Sequence, residues 1–581
     1  MSVATAADPG KEARQTEWLK RWLSFLERRE EQVFLGITLL IGALVGLAVV
    51  AFIVLTERLG MRLYPVGSAA WRRVLIPVAG SLGMGYLLYR YFPNARGSGV
   101  PQTKAALYAR NGYIALRTVL GKFGCTAATL ASGIPLGREG PAVQVGAGIA
   151  SVLGRALRLR PDKVKALLPV GAAAAIAAAF NTPLAAVLFS LEEVMGDLHA
   201  PVLGSVVLAS ATSWVVLRVF LGNQPLFHVP QYELVHPLEF AIYAVLGVVG
   251  GFLSVAFTKL LLGMRRRFLL MPRKMRWWHP VVGGVAVGLM GWFVPQVLGV
   301  GYSYVGDALN SNMAVKLMAL LVVLKLFAVT ISYASGNAGG IFGPSLFLGA
   351  MLGGTIGSIA HHFLPAYTAN PGAYALVGMG ALFAGIVRAP MTSVLMIFEM
   401  TRDYSVIVPL MIANLASLFI ASRLQRVPIY ESLAHQDGIH LPAQKNKDLG
   451  QRKVFQVMRT ATEDLAAQVT IREALERTRS SQLHSWLVMD EGNVVGVVAQ
   501  ATLENALHDS RAEQPLLSLF DTLEFPHVHT DHPVHLALER MSSAKVDMLP
   551  VVSRANVHKL EGIITLRDVL DSYGVDSIGA A

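Results

Sequence analysis

Hydrophobic residues run without a charge from Val33 to Thr56. That is long enough to cross a bilayer core, which takes about 20 apolar residues. Similar apolar segments follow as far as Ala421, separated by short loops rich in Gly, Pro and Asn, and after His435 the chain changes to an ordinary polar and charged mixture. The pattern predicts a helical membrane domain over 33–432, a linker over 433–452 and a soluble tail beyond it. Two apolar stretches, 133–154 and 336–360, are too interrupted by glycine to be simple spans. Broken backbone at membrane depth is tolerated only where it lines a cavity or is buried in protein, so a site is expected there.

The two interrupted stretches resemble each other. Gly137 to Ala147 and Gly340 to Ala350 both read Gly-x-x-Gly-Pro-x-x-x-x-Gly-Ala. Further along, Gly171 to Glu192 matches Gly378 to Glu399, with Pro183 and Pro390, Val187 and Val394, Leu188 and Leu395, and Glu192 and Glu399 in register. The two matches make an internal repeat of about two hundred residues, with halves over 33–222 and 238–422. Duplicated halves with helices interrupted in corresponding places point to a transport site at the repeat interface.

Composition narrows the class. Of 581 residues, 53% are hydrophobic and only 15% charged, against about 25% charged in soluble domains, which argues against a soluble enzyme. The net charge of +12 suggests nucleic acid at first sight. Its densest cluster, however, Arg265 to Arg267 with Arg273, Lys274 and Arg276, lies between hydrophobic spans, where basic loops mark the cytosolic face. No nucleic-acid partner is expected, and Trp277 and Trp278 read as interface anchors. Cys125 is the single cysteine, which excludes an intrachain disulfide and a cysteine metal site; no metal is expected. The opening residues mix both charge signs without an early apolar core, so no secretory signal is expected and the N-terminus reads as cytosolic. Within that 1–32 segment Trp18, Leu19, Trp22, Leu23 and Leu26 recur at helical spacing beside Lys20, Arg21, Arg28 and Arg29. They suggest an amphipathic helix lying on the membrane or packed on the protein's own cytosolic part.

The broken helices carry candidate chemistry. In both repeats a glycine-flanked loop enters a helix with proline in its first turn, Pro141 and Pro344, where the missing N–H costs nothing. A helix start presents unpaired N–H groups and the positive dipole end, so two starts converging at mid-membrane bind an anion. Gly97-Ser-Gly-Val-Pro101 is a third start of this type, in which Ser98 either caps the helix or turns its hydroxyl to the ion. Glu139 stands where the second repeat has Phe342. An ionisable group inside the membrane is a functional candidate by default; the alternatives are a pair with Arg138 or a loop open to water. In a field built for anions its carboxylate would compete with an anion, which couples proton and anion binding. Glu192 and Glu193 close the helix over 183–195, and one of them is expected to pass protons from the other side. Glu399 reads as structural and Asp197 as an ending at an aqueous surface. Lys122 either raises the local potential or snorkels to an interface.

These residues resemble the CLC family of chloride channels and chloride/proton antiporters. GSGVP at 97–101 is similar to the family's GSGIP, GREGP at 137–141 is identical to its signature, and GIFGP at 340–344 fits GxFxP. The resemblance implies an all-α polytopic membrane domain of inverted-repeat CLC fold. It also implies a homodimer with a pore in each subunit, in a bacterial inner (plasma) membrane, with both termini cytosolic. Chloride would be held by Ser98, by the backbone N–H groups of Ile341 and Phe342, and by the hydroxyl of Tyr430, which otherwise reads as an interface anchor. Glu139 matches the external gating glutamate and Glu193 the internal proton-transfer glutamate. Acids at both positions favour exchange of chloride for protons; a passive chloride channel of the same fold is the alternative. Serine at 98 resembles chloride-preferring members.

The tail repeats as well. Ala474-Leu-Glu-Arg477 recurs as Ala537-Leu-Glu-Arg540, and 484–498 corresponds to 546–564. Strands alternating with short helices resemble a pair of CBS domains, an α/β module, over 453–510 and 515–575. In the family these lie in the cytosol, regulate transport and can bind adenine nucleotides (ATP, ADP or AMP). Thr565 and Asp568 stand where nucleotide-binding pairs hold the ribose hydroxyls, and Ala499 and Thr502 replace them in the first copy. A helix-capping pair gives the same residues without a ligand. No cofactor is required for transport. An intramembrane metalloprotease would need His-Glu-x-x-His, which is absent from the sequence. A magnesium channel would need pore carboxylates rather than helix starts.

Overall fold

The computed structural model describes residues 30–572 except 66, 199–201, 223–224, 228, 231, 233, 440–451, 461–463, 480–483, 510 and 521–524. The amphipathic segment expected over 1–32 lies almost wholly outside the described residues. The chain divides into one unit up to Leu441 and a second from Pro442.

The first unit is helical throughout. Its first half runs through α1 (Glu30–Leu63), α2 (Arg72–Arg90), α3 (Val100–Ala109), α4 (Leu116–Ala131), α5 (Glu139–Ala156), α6 (Pro161–Phe180), α7 (Pro183–Phe189) and α8 (Leu203–Leu221). Its second half repeats the series with α9 (Glu239–Leu270), α10 (His279–Phe293), α11 (Tyr302–Leu309), α12 (Val315–Ala334), α13 (Phe342–Phe363), α14 (Pro371–Val387), α15 (Pro390–Thr401) and α16 (Ile407–Leu424). A last short helix, α17 (Ile429–Gln436), follows. Among the described residues seven helical stretches are long and apolar enough to cross a membrane. Large apolar side chains such as Phe220, Phe293 and Phe363 stand exposed on the outside, the arrangement that lipid rather than water stabilises.

Small residues set how closely the halves' central helices cross. A Cβ built on Gly146 would lie 2.3 Å from the carbonyl oxygen of Gly171, and one built on Gly171 equally close to that of Gly146. The repeat-related pair Gly349 and Gly378 shows the same mutual approach at 2.3 Å. Both α5–α6 and α13–α14 thus pack backbone against backbone, the way helices associate in lipid where burial of apolar surface supplies little drive.

The two halves meet at their loops. Gly137 and Gly340 form an isolated antiparallel bridge, each N–H donating to the other's carbonyl at 2.7 Å. That reciprocal pairing is what a two-fold relation between inverted repeats requires. It also brings the starts of α5 and α13 side by side, so the interrupted helices fall at the centre of the unit as their glycine content implies.

The second unit contains two α/β halves. In the first, β1 (Asp464–Ala466) runs parallel to β2 (Ser485–Asp490), which pairs antiparallel with β3 (Asn493–Ala499); α18 (Ile471–Thr478) and α19 (Gln500–His508) flank them. In the second, α20 (Val534–Ala544) precedes the antiparallel pair β4 (Met548–Val552) and β5 (Leu560–Thr565), closed by α21 (Leu566–Ser572). The repeated Ala-Leu-Glu-Arg segments lie on α18 and α20 with Ala474 and Ala537 fully buried. Leu487 and Val494 of one half share an apolar cluster with Met548, Val552 and Ile563 of the other.

Candidate ion-transport site

Glu139 opens α5 and is fully buried. Its Oε2 accepts the backbone N–H of Gly343 at 3.2 Å, in the first turn of α13, and its Oε1 accepts the hydroxyl of Tyr302. A helix's first N–H groups have no intrahelical acceptor, and here a carboxylate supplies one across the repeat boundary. Of the other two readings of Glu139, the local pair with Arg138 is present as a loose ion pair and the opening to water is not seen. Glu139 is shut off from water, and Arg138 Nε forms an ion pair with its Oε1 at 3.9 Å, beyond hydrogen-bond distance. The Arg138 guanidinium also lies over the Tyr302 ring at 5.5 Å and 3.7 Å from the exposed Glu57.

Ile341 and Phe342 precede Gly343 at the same helix start, both fully buried. The Phe342 ring packs against Phe383, Phe180 and Phe189 with centroids 4.4, 4.8 and 5.5 Å apart. This aromatic cluster makes a dry wall beside the polar helix start, and a low-dielectric wall strengthens the field of the N–H groups beside it.

Ser98 and Tyr430 are fully buried, and neither hydroxyl has a hydrogen-bond partner. Ser98 does not act as a side-chain cap; Gly99, with φ of +107°, occupies the cap position of α3. The Ser98 backbone N–H donates to the Tyr333 hydroxyl at 3.1 Å, which fixes the loop and leaves the serine Oγ unused. The Ser98 and Tyr430 hydroxyls stand close to one another, with Glu193, Tyr333 and Glu139 as the titratable groups nearest Tyr430. Two buried hydroxyls left unsatisfied are costly in a native core, and an anion accepting from both would offset that cost.

Glu193 lies on a single π-helical turn, Ser190–Met195, which continues α7. Such turns cluster at functional sites. Its carboxylate forms a buried ion pair with Lys104 on α3, Nζ to Oε1 2.9 Å, with both side chains under a tenth exposed. The adjacent Glu192 points elsewhere: it accepts from Thr392 N at 2.9 Å, from Thr392 Oγ1 at 2.7 Å and from Met391 N at 3.3 Å, capping α15. Glu399 returns the interaction, accepting from Ala185 N at 2.7 Å and Leu184 N at 3.0 Å to cap α7. The repeat mates thus cap each other's partner helix, which separates a structural acid, Glu192, from its neighbour Glu193. Glu399→Ala should lower unfolding stability by about 1 kcal/mol, the usual cost of a lost cap, while leaving transport unchanged. A thermal melt paired with a flux assay measures both.

Sequence reasoning missed several residues here. Tyr302 and Lys104 were not anticipated, and neither was Lys325. Lys122 does not snorkel: it is fully buried and donates to Ala95 O at 3.1 Å and to Gly97 O, in the loop that carries Ser98. Lys325, its mate in the second half, donates to Val297 O at 3.0 Å and Gly299 O at 2.7 Å, in the loop that leads to Tyr302. Gly97-x-Gly99 and Gly299-x-Gly301, each ending in a positive-φ glycine before a short helix, recur within one residue of the spacing of the two lysines. That coincidence was the available signal.

In the tail, Thr565 and Asp568 engage each other. Asp568 Oδ2 accepts from Thr565 N at 3.0 Å and from Thr565 Oγ1 at 2.7 Å, and Asp568 Oδ1 accepts from Arg459 Nε at 2.6 Å. The capping arrangement is therefore present. Ala499 caps α19 without a side-chain bond.

Comparison with known proteins agrees with this geometry. A family model described as voltage gated chloride channel matches residues 80–422, and one for the CBS domain matches 521–574. The H(+)/Cl(-) exchange transporter ClcA of Vibrio campbellii is 34% identical over 60% of this chain and 76% of its own length. A putative chloride channel protein ClcB-like of Ralstonia nicotianae is also 34% identical, over 64% of this chain and 88% of its own. Among solved structures, a slow cyanobacterial Cl-/H+ antiporter aligns with a TM-score of 0.64 at 26% identity, covering 70% of this chain and 97% of that one. A eukaryotic CLC transporter shares the fold over 92% of this chain and 97% of its own, with a TM-score of 0.62 at 21% identity. With paired inverted halves, helix starts meeting at their centre, and a matched segment that spans most of the membrane unit, this chain belongs to the CLC family of chloride channels and transporters.

Proposed function

We propose that the protein exchanges chloride for protons across a membrane. The observation that carries the reading is the Glu139 carboxylate on the Gly343 N–H at the start of α13. An ionised carboxylate held there occupies an anion's place, and protonation weakens its hold, because charge-assisted hydrogen bonds are about twice as strong as neutral ones. Chloride entering that helix start, against Ile341 and Phe342, then favours the protonated and displaced glutamate. The unsatisfied hydroxyls of Ser98 and Tyr430 form a second anion position. Glu139 acts as external gate and proton acceptor, and Glu193, held by Lys104, as internal proton-transfer site. The exchange activity carried in the names of the Vibrio relatives supports the exchange of chloride for protons.

The wider reading follows the family. The chain works as a homodimer in a bacterial inner membrane, with both termini cytosolic. Residues 33–432 form the transport domain and 433–452 the linker. Residues 453–510 and 515–575 form two CBS units that regulate it, with adenine nucleotide as the ligand class. The Thr565–Asp568 cap would have to open to hold a ribose, so nucleotide binding here costs an existing interaction.

Reconstituted vesicles with an outward chloride gradient test the central reading. Chloride efflux should drive protons inward against a pH gradient. Chloride flux with no proton movement would instead assign a passive channel.

A further inference from the structure

Two fully buried lysines hold equivalent loops in the two halves, and the exchange reaction as described uses neither. Lys122 donates to Ala95 O and Gly97 O, and Lys325 donates to Val297 O and Gly299 O at 3.0 and 2.7 Å. Both pairs of acceptors stand two residues apart, and each loop passes through a positive-φ glycine, Gly99 or Gly301, into a short helix. In the first half the residue between the glycines is Ser98, whose buried hydroxyl has no partner. In the second half it is Val300, which has no hydroxyl. The second loop delivers a different group: Tyr302, the first residue of α11, donates its hydroxyl to Glu139 Oε1. The same lysine-held loop thus presents a hydroxyl to the anion position in one half and to the competing carboxylate in the other.

The Tyr302 ring is fixed from two sides. The Arg138 guanidinium lies 5.5 Å from its centroid, and the Phe227 ring stands T-shaped to it at 6.0 Å. Space beside the hydroxyl is tight, since a Cβ built on Gly343 would lie 2.9 Å from it and 3.1 Å from Val300 Cγ1. Lys325 is equally confined, with Nζ 4.3 Å from the Phe347 ring centroid and 3.3 Å from a Cβ built on Gly301. A phenol hydroxyl on a carboxylate makes a charge-assisted hydrogen bond, about twice as strong as a neutral one. The contact therefore favours the ionised Glu139 at the start of α13 and opposes its replacement by chloride. We propose that Tyr302 is a positioning residue that latches the ionised Glu139 carboxylate in the anion's place, and that Lys325 sets the latch through the loop leading to Tyr302. The proposal rests on the competition between carboxylate and chloride described above and adds what sets its balance. The Tyr302 hydroxyl raises the chloride concentration needed to displace the gate.

Chloride uptake into vesicles containing the full chain, measured over a range of chloride concentrations with equal pH on both sides, tests the latch. Tyr302→Phe keeps the ring with its contacts to Arg138 and Phe227 and removes only the hydroxyl. It should lower the half-saturating chloride concentration about tenfold, the loss of one strong hydrogen bond. In a Glu139→Ala background, where no carboxylate remains to be held, the same substitution should leave half-saturation unchanged. Lys325→Met should shift half-saturation in the same direction, and adding Tyr302→Phe to it should give less than the product of the two separate shifts. Lys325→Gln, which keeps a donor, is read in the same way if Lys325→Met does not fold. An unchanged half-saturation in Tyr302→Phe, or an equal shift with and without Glu139, overturns the latch. A Lys325 variant that melts lower but keeps the parent half-saturation removes Lys325 from it. Chloride flux without proton movement would contradict the exchange reading instead, whereas these shifts judge the latch alone.

Discussion

Glu139→Gln should keep chloride moving and bring proton movement to zero. The substituted side chain has the size of a protonated glutamate but carries no titratable proton. It also loses the charge that strengthens the bonds from Gly343 N and the Tyr302 hydroxyl, and neutral hydrogen bonds are about half as strong as charge-assisted ones. The start of α13 is then open to chloride at every pH. Vesicle recordings of chloride and pH together should show flux that no longer depends on pH and no uphill proton uptake. Retained uptake would remove Glu139 from the proton path.

The second large effect is expected at the buried ion pair. Lys104→Met leaves the Glu193 carboxylate without its partner 2.9 Å away, in a site where neither side chain reaches solvent to any extent. Removing one member of a buried pair costs about 3–5 kcal/mol, because the other charge stays behind uncompensated. The Lys104→Met protein should therefore melt well below the parent at neutral pH. Glu193→Gln added to it should restore most of the loss, since the double variant contains no unpaired charge. If the two substitutions were simply additive, the pair would not be a unit. Glu193→Gln alone should leave chloride flux and lower the proton share of exchange.

Both effects arise from a departure from symmetry. The second half places Phe342 where the first has Glu139, and Met400, almost fully buried, where the first has Glu193. The inverted repeat supplies two equivalent helix starts, and the ionisable groups are present in only one half. An anion site can be symmetric, whereas a proton route with two different ends cannot.

The framework was legible in the chain because it is local. Gly-x-x-Gly-Pro before an apolar helix states its own geometry, and its recurrence states the repeat. Glu139 stands out as an ionisable group in an apolar stretch and Ser98 as part of a glycine-proline helix start, whereas Glu193 is told from Glu192 only by the family resemblance. What the sequence hid were the partners. Tyr302 reaches Glu139 across 163 residues and Lys104 reaches Glu193 across 89, and nothing in either local pattern foretells the encounter. The π turn at Ser190–Met195 is equally hidden, since its residues are ordinary helix formers. It directs Glu192 to α15 and Glu193 to Lys104, a division of roles that adjacency in sequence does not reveal. Thr565 and Asp568 show the opposite case, where a motif read for a ligand is satisfied by its own cap.

Competition between carboxylate and chloride is the claim on which the mechanism rests, and proton uptake during chloride binding tests it most directly. Purified protein in weakly buffered solution is titrated with chloride while pH is recorded. Because the two binding equilibria are reciprocally linked, chloride displacing the Glu139 carboxylate should draw a proton onto it. The account predicts a pH rise that saturates with chloride and is absent in Glu139→Gln. Chloride binding by the parent protein with no proton uptake would contradict it.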